Sequence, residues 1–165
     1  MKFLWAFLIS VTLLSAAPFE SGSASLGVTV GSGSVSYSVG RISTVENYYI
    51  AGVSGDYFVY ENLSIGLGYR GWFGGEPTIH QLTTPVTYYI PTGTQYRPYV
   101  GAFYRYTYFD GNVEDYNSAG GRIGLAVLFR NGYVGFGWVH EYRLDADDMT
   151  DNHSGYPEVM VGFSF

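Results

Sequence analysis

Cysteine is absent from the 165-residue chain, so there is no disulfide framework, no thiolate metal site and no lipid attached at a cysteine. Lysine occurs once, at Lys2. Charged residues make up 13% of the sequence, about half of the roughly 25% usual in soluble domains, too few for an ordinary soluble surface. Beyond the N-terminus no apolar run approaches the ~20 residues of a spanning helix. The 23 glycines are spaced through the chain so as to spoil helices. No basic stripe follows phosphates, so no nucleic acid is expected as a partner. Aromatic residues, by contrast, reach 19%, with 17 Tyr and 11 Phe, which is not a disordered composition. The length allows one domain. These exclusions leave β-structure with an unusual solvent preference.

The N-terminus reads as an export signal. Met1-Lys2 gives a positive start, 3–14 an apolar stretch, and Ser15-Ala16-Ala17 a small-residue region. Residues 1–17 are assigned to the signal, with cleavage as late as Ala24 an alternative because Pro18 would follow a cut at Ala17. Residues 25–165 then form the single folded domain. After a cut at Ala17 the chain retains seven arginines against 14 acidic residues, a net charge of −7.

The remainder alternates with period two. In Leu63–Phe73 one face carries Leu63, Ile65, Leu67, Tyr69, Gly71 and Phe73 and the other Ser64, Gly66, Gly68, Arg70 and Trp72. Tyr96–Phe109 and 122–129 repeat the pattern, which marks strands with one apolar face and one small or polar face. Short turns at Glu61-Asn62, 91–94 and Arg130-Asn131-Gly132 alternate with longer polar connections at 41–47, 74–78, 110–119 and 144–155. Eight strands follow, at 26–40, 47–60, 63–73, 79–90, 95–109, 120–130, 132–143 and 156–165, as an up-and-down meander. Two segments fit poorly. The phase shifts through Gly31-Ser32-Gly33-Ser34, implying a bulge or a separate hairpin, of which a bulge keeps the even strand count. Pro85 lies inside the fourth strand, where a bulge is also expected.

An eight-stranded meander closes either as a secreted lipocalin-like barrel or as a transmembrane barrel. The face opposite the apolar one is rich in glycine, serine and threonine and holds most of the strand arginines. That suits a narrow interior and makes a poor soluble exterior. Aromatics gather at the strand ends: Tyr57, Tyr60, Tyr88, Tyr96, Phe129, Tyr133 and Phe165 near the short turns, and Tyr49, Tyr69, Phe73, Tyr106, Tyr108, Trp138 and Tyr142 near the long connections. Two aromatic girdles flanking an apolar band are expected of a membrane barrel. The fold class is therefore all-β, an eight-stranded antiparallel up-and-down transmembrane barrel.

The last strand alternates Val159, Val161, Phe163 and Phe165. Here the chain resembles the outer-membrane barrel families, whose terminal aromatic strand is read by the barrel-assembly machinery. The segment Gly55-Asp56-Tyr57-Phe58-Val59-Tyr60-Glu61-Asn62-Leu63-Ser64-Ile65-Gly66-Leu67 is similar to the strand–turn–strand unit of the generic bacterial outer-membrane β-barrel domain. The resemblance implies a barrel of the OmpX/OmpA type in a Gram-negative-type outer membrane. It also implies contact with outer-membrane lipids and lipopolysaccharide, and assembly-machinery recognition during biogenesis. It implies no particular activity.

Candidate chemistry is sparse. If the apolar faces meet lipid, the interior holds Asp56, Arg70, Arg97, Arg105, Arg122, Glu141, Arg143 and Glu158. These charges are expected to pair into a packed polar plug, a gated solute path being the alternative. Asp145, Asp147, Asp148 and Asp151 place oxygen ligands at close spacing, a weak calcium candidate without the glycine and terminal glutamate of an EF-hand. Asp110, Glu114 and Asp115 make a second connection acidic. A lipid-modifying esterase would need Ser, His and an acid converging on one wall. His153-Ser154 with Glu158 or Asp151, and His140-Glu141 one strand away, do not match the deacylase spacing, and adjacent strand residues face opposite ways. The expectation is a monomeric, non-catalytic barrel without cofactor, serving envelope integrity or adhesion. A lipocalin-like binding barrel and a lipid A esterase are the alternatives.

Overall fold

A computed structural model describes residues 18–39, 42–111, 113–144 and 153–165. The signal segment 1–17 and the four aspartates of the calcium candidate lie outside them. Eight antiparallel strands follow the alternating runs: β1 Ala24–Val39, β2 Ile42–Tyr60, β3 Leu63–Phe73, β4 Ile79–Tyr89, β5 Tyr96–Phe109, β6 Tyr116–Phe129, β7 Gly132–Arg143 and β8 His153–Ser164. They close in chain order as an up-and-down barrel, β1 beside β8. No helix among the described residues is long and apolar enough to cross a membrane. β2, β6 and β8 begin three to five residues before the expected positions, because polar stretches such as Tyr116-Asn117-Ser118 still join the ladder.

The register fixes the barrel's dimensions. Partners followed once around run through Ala24, Tyr57, Ile65, Val86, Ala102, Gly121, His140 and Gly155. The β1–β8 register, set by Ser25↔Ser164 to Val28↔Val161, would extend from Gly155 to Ser34, ten residues beyond the start. A shear of ten over eight strands gives a tilt of about 41° and a radius of about 8 Å for strands ~4.8 Å apart. So narrow a lumen requires small inward residues beside large ones. Gly124 and Gly137 show this directly: a Cβ on either would run into the Tyr99 ring or its hydroxyl.

Neither expected bulge is present. β1 pairs with β2 in one continuous register from Ala24↔Tyr57 to Val39↔Ile42, so the phase shift near Gly31–Ser34 interrupts nothing. At Pro85 the β3–β4 ladder lapses between Ile65↔Val86 and Gly68↔Thr83, then resumes in the same register. The missing N–H is absorbed as a gap opposite Gly66, without a slip. The irregularity that does occur lies in β2, between Phe58 and Tyr60. The β1–β2 hairpin also outruns the ring: β3's last partner in β2 is Tyr49, so seven residues of β2, from Ile42 to Tyr48, pair with β1 alone.

Residues 18–23, just ahead of β1, fold into the short-turn end of the lumen. Phe19 is fully buried and stacks on Tyr89 at 4.1 Å, tilted against Phe58 at 5.3 Å and Tyr133 at 5.2 Å. The segment is stitched by backbone bonds, Gly22 N to Phe58 O at 2.8 Å and Asn62 N to Phe19 O at 2.8 Å. Asn62 accepts in turn from Tyr89 N at 2.8 Å. Asn62 has φ of 64°, a left-handed turn geometry that Asn tolerates better than most residues. With Tyr99 and Ala126, these rings form the buried hydrophobic cluster. Tyr133, expected in the outer girdle, is one of them: the odd residues of β7 point inward.

Candidate functional site in the barrel lumen

Inward-facing positions carry all eight of the anticipated interior charges, and the structure draws them into distinct groups. In the first, Arg105 Nη1 donates to Glu141 Oε2 and to the Tyr156 hydroxyl (2.8 Å), while its Nε donates to Thr83 Oγ1 (3.0 Å). Glu141 accepts further from Ser118 Oγ at 2.5 Å and from the Tyr156 hydroxyl at 3.1 Å. Both charged side chains are buried. Glu141 thus has both oxygens occupied, the condition under which a buried carboxylate is tolerated.

The second group lies nearer the aromatic cluster. Arg122 faces Glu158 at 3.7 Å and donates to Thr87 Oγ1 at 2.5 Å. Glu158 Oε1 accepts from the Tyr99 hydroxyl at 2.9 Å. The remaining arginines have other company. The guanidinium of Arg143 sits 4.1 Å from the Tyr116 ring centre, Arg70 lies beside Tyr156, and Nε and Nη1 of Arg97 are buried without a hydrogen-bond partner among the described residues. No carboxylate lies within ion-pair distance of Arg70, Arg97 or Arg143 among the described residues.

The interior is not packed solid. Above the aromatic cluster lies a cavity of about 840 Å³, lined by Asp56, Arg70, Arg105, Arg122, Glu141, Arg143 and Glu158 among others. The expected packed plug of paired charges gives way to a cavity that those charges line, and it is Phe19 and the tyrosines that fill the cross-section at the short-turn end. The charges beyond it face a polar chamber blind at that end. Sequence reasoning missed both features. Pro18–Phe19 sits at the edge of the presumed leader and carries no strand pattern, and a cavity is a sum over side chains from eight strands.

The outer wall is apolar. Ile123 is 64% and Phe136 56% exposed at mid-strand. Of the proposed girdle residues, Tyr57, Tyr60, Tyr96 and Phe129 are exposed towards the short turns, and Tyr69, Phe73, Tyr106, Trp138 and Tyr142 towards the long connections. Tyr108 is partly covered by His80, whose ring stacks on it at 4.6 Å. Tyr96 and Tyr106 are ten residues apart on the same face of β5. At the tilt above this is about 25 Å of height, the span of a membrane barrel's apolar band. Val159, Val161 and Phe163 share the outward face of β8 and Phe165 follows its end, with Phe163 edge-on to Phe129 at 6.4 Å.

Polar contacts decorate the rim at the long connections. Tyr69 and His80 Nδ1 lie 2.6 Å apart and His80 Nε2 is 3.2 Å from Asp110 Oδ2. Asp115 accepts from the Tyr106 hydroxyl at 2.6 Å and from the Phe109 amide at 3.2 Å. His153 and His140 approach within 5.8 Å on the outer wall, whereas Ser154, one residue on, has the opposite strand parity. The histidine and serine of the esterase alternative are therefore on opposite faces of β8.

A closed eight-stranded meander with a polar, small-residue interior, an apolar wall and aromatic rims has the fold of the small outer-membrane barrels. Among solved structures, the N-terminal β-barrel domain of Pseudomonas aeruginosa OprF superposes with a TM-score of 0.64 at 18% identity, over 88% of this chain and 98% of that one. Neisserial surface protein A (NspA) gives 0.58 at 15% identity, over 87% and 96%. At these identities the likeness concerns the fold. No protein family's sequence profile matches the chain, and no curated protein is similar to it in sequence.

Proposed function

We propose that the chain is an integral outer-membrane barrel of a Gram-negative-type envelope. In this reading it is exported by residues 1–17, folded with the help of the assembly machinery that reads Val159, Val161, Phe163 and Phe165, and monomeric. It presents its long connections to the exterior, contacts outer-membrane lipids and lipopolysaccharide, and serves envelope integrity or surface interaction without catalysing a reaction or holding a cofactor. The observation that carries this reading is the outward face: an apolar wall about 25 Å high between two sets of exposed aromatics, opposite an interior that holds the strand charges. A water-soluble barrel has the reverse arrangement.

The blind end argues against through-flow and favours a closed scaffold. The test is migration on a gel before and after boiling, with the protein purified from membranes in detergent. Faster migration of the unboiled form, and failure to stay in solution without detergent, are expected. A protein that is monomeric in plain buffer would refute the membrane placement. A large, stable conductance in planar bilayers would refute the closed lumen.

A further inference from the structure

The ring has one weak joint. Ala24 and Phe165 exchange both backbone bonds (3.1 and 3.0 Å), and above them four pairs, Ser25↔Ser164 to Val28↔Val161, are the β1–β8 ladder among the described residues. Every other neighbouring pair of strands is joined over eight or more. Continuing the register would set Val30 against Val159 and Ser32 against Pro157, but the strands part instead. The alternation says why. The Ala24–Phe165 exchange means that odd residues of β8 direct their backbone groups at β1, while even ones serve β7, as in Ser164 N to Asn131 O at 3.0 Å. Pro157 is odd, so the donor it lacks is one that β1 would need. A proline so placed belongs on an edge.

The luminal cavity reaches this joint. Its lining combines inward Arg70 and Arg143 with Val30, Val159 and Val161 on the lipid-side face of the two parted strands. Val30 is 81% and Val159 58% exposed. The cavity is thus open sideways, between β1 and β8. Unpaired backbone at membrane depth is tolerated where it lines a water-filled space, and here that space is the polar chamber. A molecule that fits both environments has an ionic head for the chamber and one apolar chain for the slot. The sign of the head follows from the lining, four arginines against Asp56, Glu141 and Glu158: Arg105 and Arg122 are matched by Glu141 and Glu158, whereas Arg70 and Arg143 have no carboxylate within ion-pair distance among the described residues, and Asp56 alone does not offset the two. Arg143 Nε is also buried without a hydrogen-bond partner there.

We propose that this chamber and slot form a binding site for an amphipath with an anionic head, carboxylate or phosphate, and a single acyl chain. Arg70 and Arg143 hold the head, and the chain leaves between β1 and β8 across Val30 and Val159. The volume, about 840 Å³, lies in the range of small-ligand pockets, roughly 300–1,000 Å³. The proposal rests on the membrane reading only for where the chain ends.

The test uses the full chain in neutral maltoside micelles with the fluorescent fatty acid parinaric acid as probe. Saturable one-to-one binding is expected, displaced by palmitate or by lysophosphatidic acid and not by hexadecyltrimethylammonium. Which of the two displaces at lower concentration separates a carboxylate from a phosphate head. R70Q/R143Q weakens binding by at least about tenfold, the loss expected when charge-assisted hydrogen bonds go. V30C/V159C, in a chain with no other cysteine, zips the slot when oxidised; binding is lost and returns on reduction. Equal displacement by the cationic amphipath, or unchanged binding in R70Q/R143Q, overturns the proposal, as does unchanged binding in the oxidised bridge. Where no bridge forms, the arginine variant decides alone. Heat-modifiable migration of each sample distinguishes an unfolded or soluble protein from a folded barrel that does not bind.

Discussion

Replacing Glu141 by alanine isolates the energetics of the lumen. Arg105 is buried, and Glu141 is its only carboxylate partner among the described residues; Thr83 and Tyr156 supply neutral contacts. Removing one partner of a buried ion pair costs about 3–5 kcal/mol, because the charge left behind is uncompensated. Ser118 loses its acceptor as well. With a urea dependence of about 1–3 kcal/mol per molar, the unfolding midpoint of E141A falls by about 2 M. The assay is equilibrium urea unfolding in lipid vesicles, followed by tryptophan fluorescence and by heat-modifiable migration. R105M/E141M removes both charges together and is expected near the unmodified midpoint, since a paired desolvated charge roughly breaks even against apolar packing. E141Q falls between, keeping one acceptor oxygen without the charge. An E141A midpoint within about 0.3 M of the unmodified protein, less than 1 kcal/mol at that slope, would refute the reasoning. It would mean that water in the adjoining chamber hydrates Arg105 as well as the carboxylate does.

Four shorter predictions accompany it. Phe19→Ala removes a fully buried ring from the aromatic cluster and lowers stability by about 3–5 kcal/mol, read from the same urea midpoints. Mass spectrometry of the mature protein finds Phe19 retained, so cleavage falls ahead of Pro18; a chain beginning at Ser25 would contradict the plug. Ile123→Arg puts a charge at mid-height on the outer wall and costs about 2–4 kcal/mol in a bilayer; a change under about 0.5 kcal/mol, the size of an ordinary surface substitution, would place that face in water. Gly124→Ala drives a methyl against Tyr99, loosens the Tyr99–Glu158 bond, and lowers stability by about 1–3 kcal/mol as measured by thermal loss of the unboiled gel form.

Period two made the strands legible because outward residues are mostly apolar and inward ones mostly small or polar, as in Leu63–Phe73 and Tyr96–Phe109, with Gly71, Trp72 and Phe103 as exceptions. The same parity put Arg105, Arg122, Glu141 and Glu158 in one compartment before any contact was known. Which charges meet was not legible, because partners such as Arg105 and Glu141 stand 36 residues apart and depend on the shear of the whole ring. Tyr133 misled because an aromatic beside a hairpin turn fits either the girdle or the lumen until its phase on β7 is set. Pro157 was readable as a residue but not as an edge marker, since its meaning depends on which neighbour its missing N–H faces. Phe19 carried no periodic signal, as a single side chain inserted by an irregular segment has none.

The Phe19 docking site also has a history. Its three ring partners come from β2, β4 and β7, strands spread around the circumference, and Asn62, whose N–H donates to its carbonyl, belongs to the β2–β3 turn. No half-built sheet presents that pocket. It exists only once β2, β4 and β7 have curled together, so the docked Phe19 reports that the sheet has rounded into a barrel. A chain stalled with its strands unjoined leaves Phe19 in the open, which makes protection of residues 18–23 from proteolysis a signature of completed assembly.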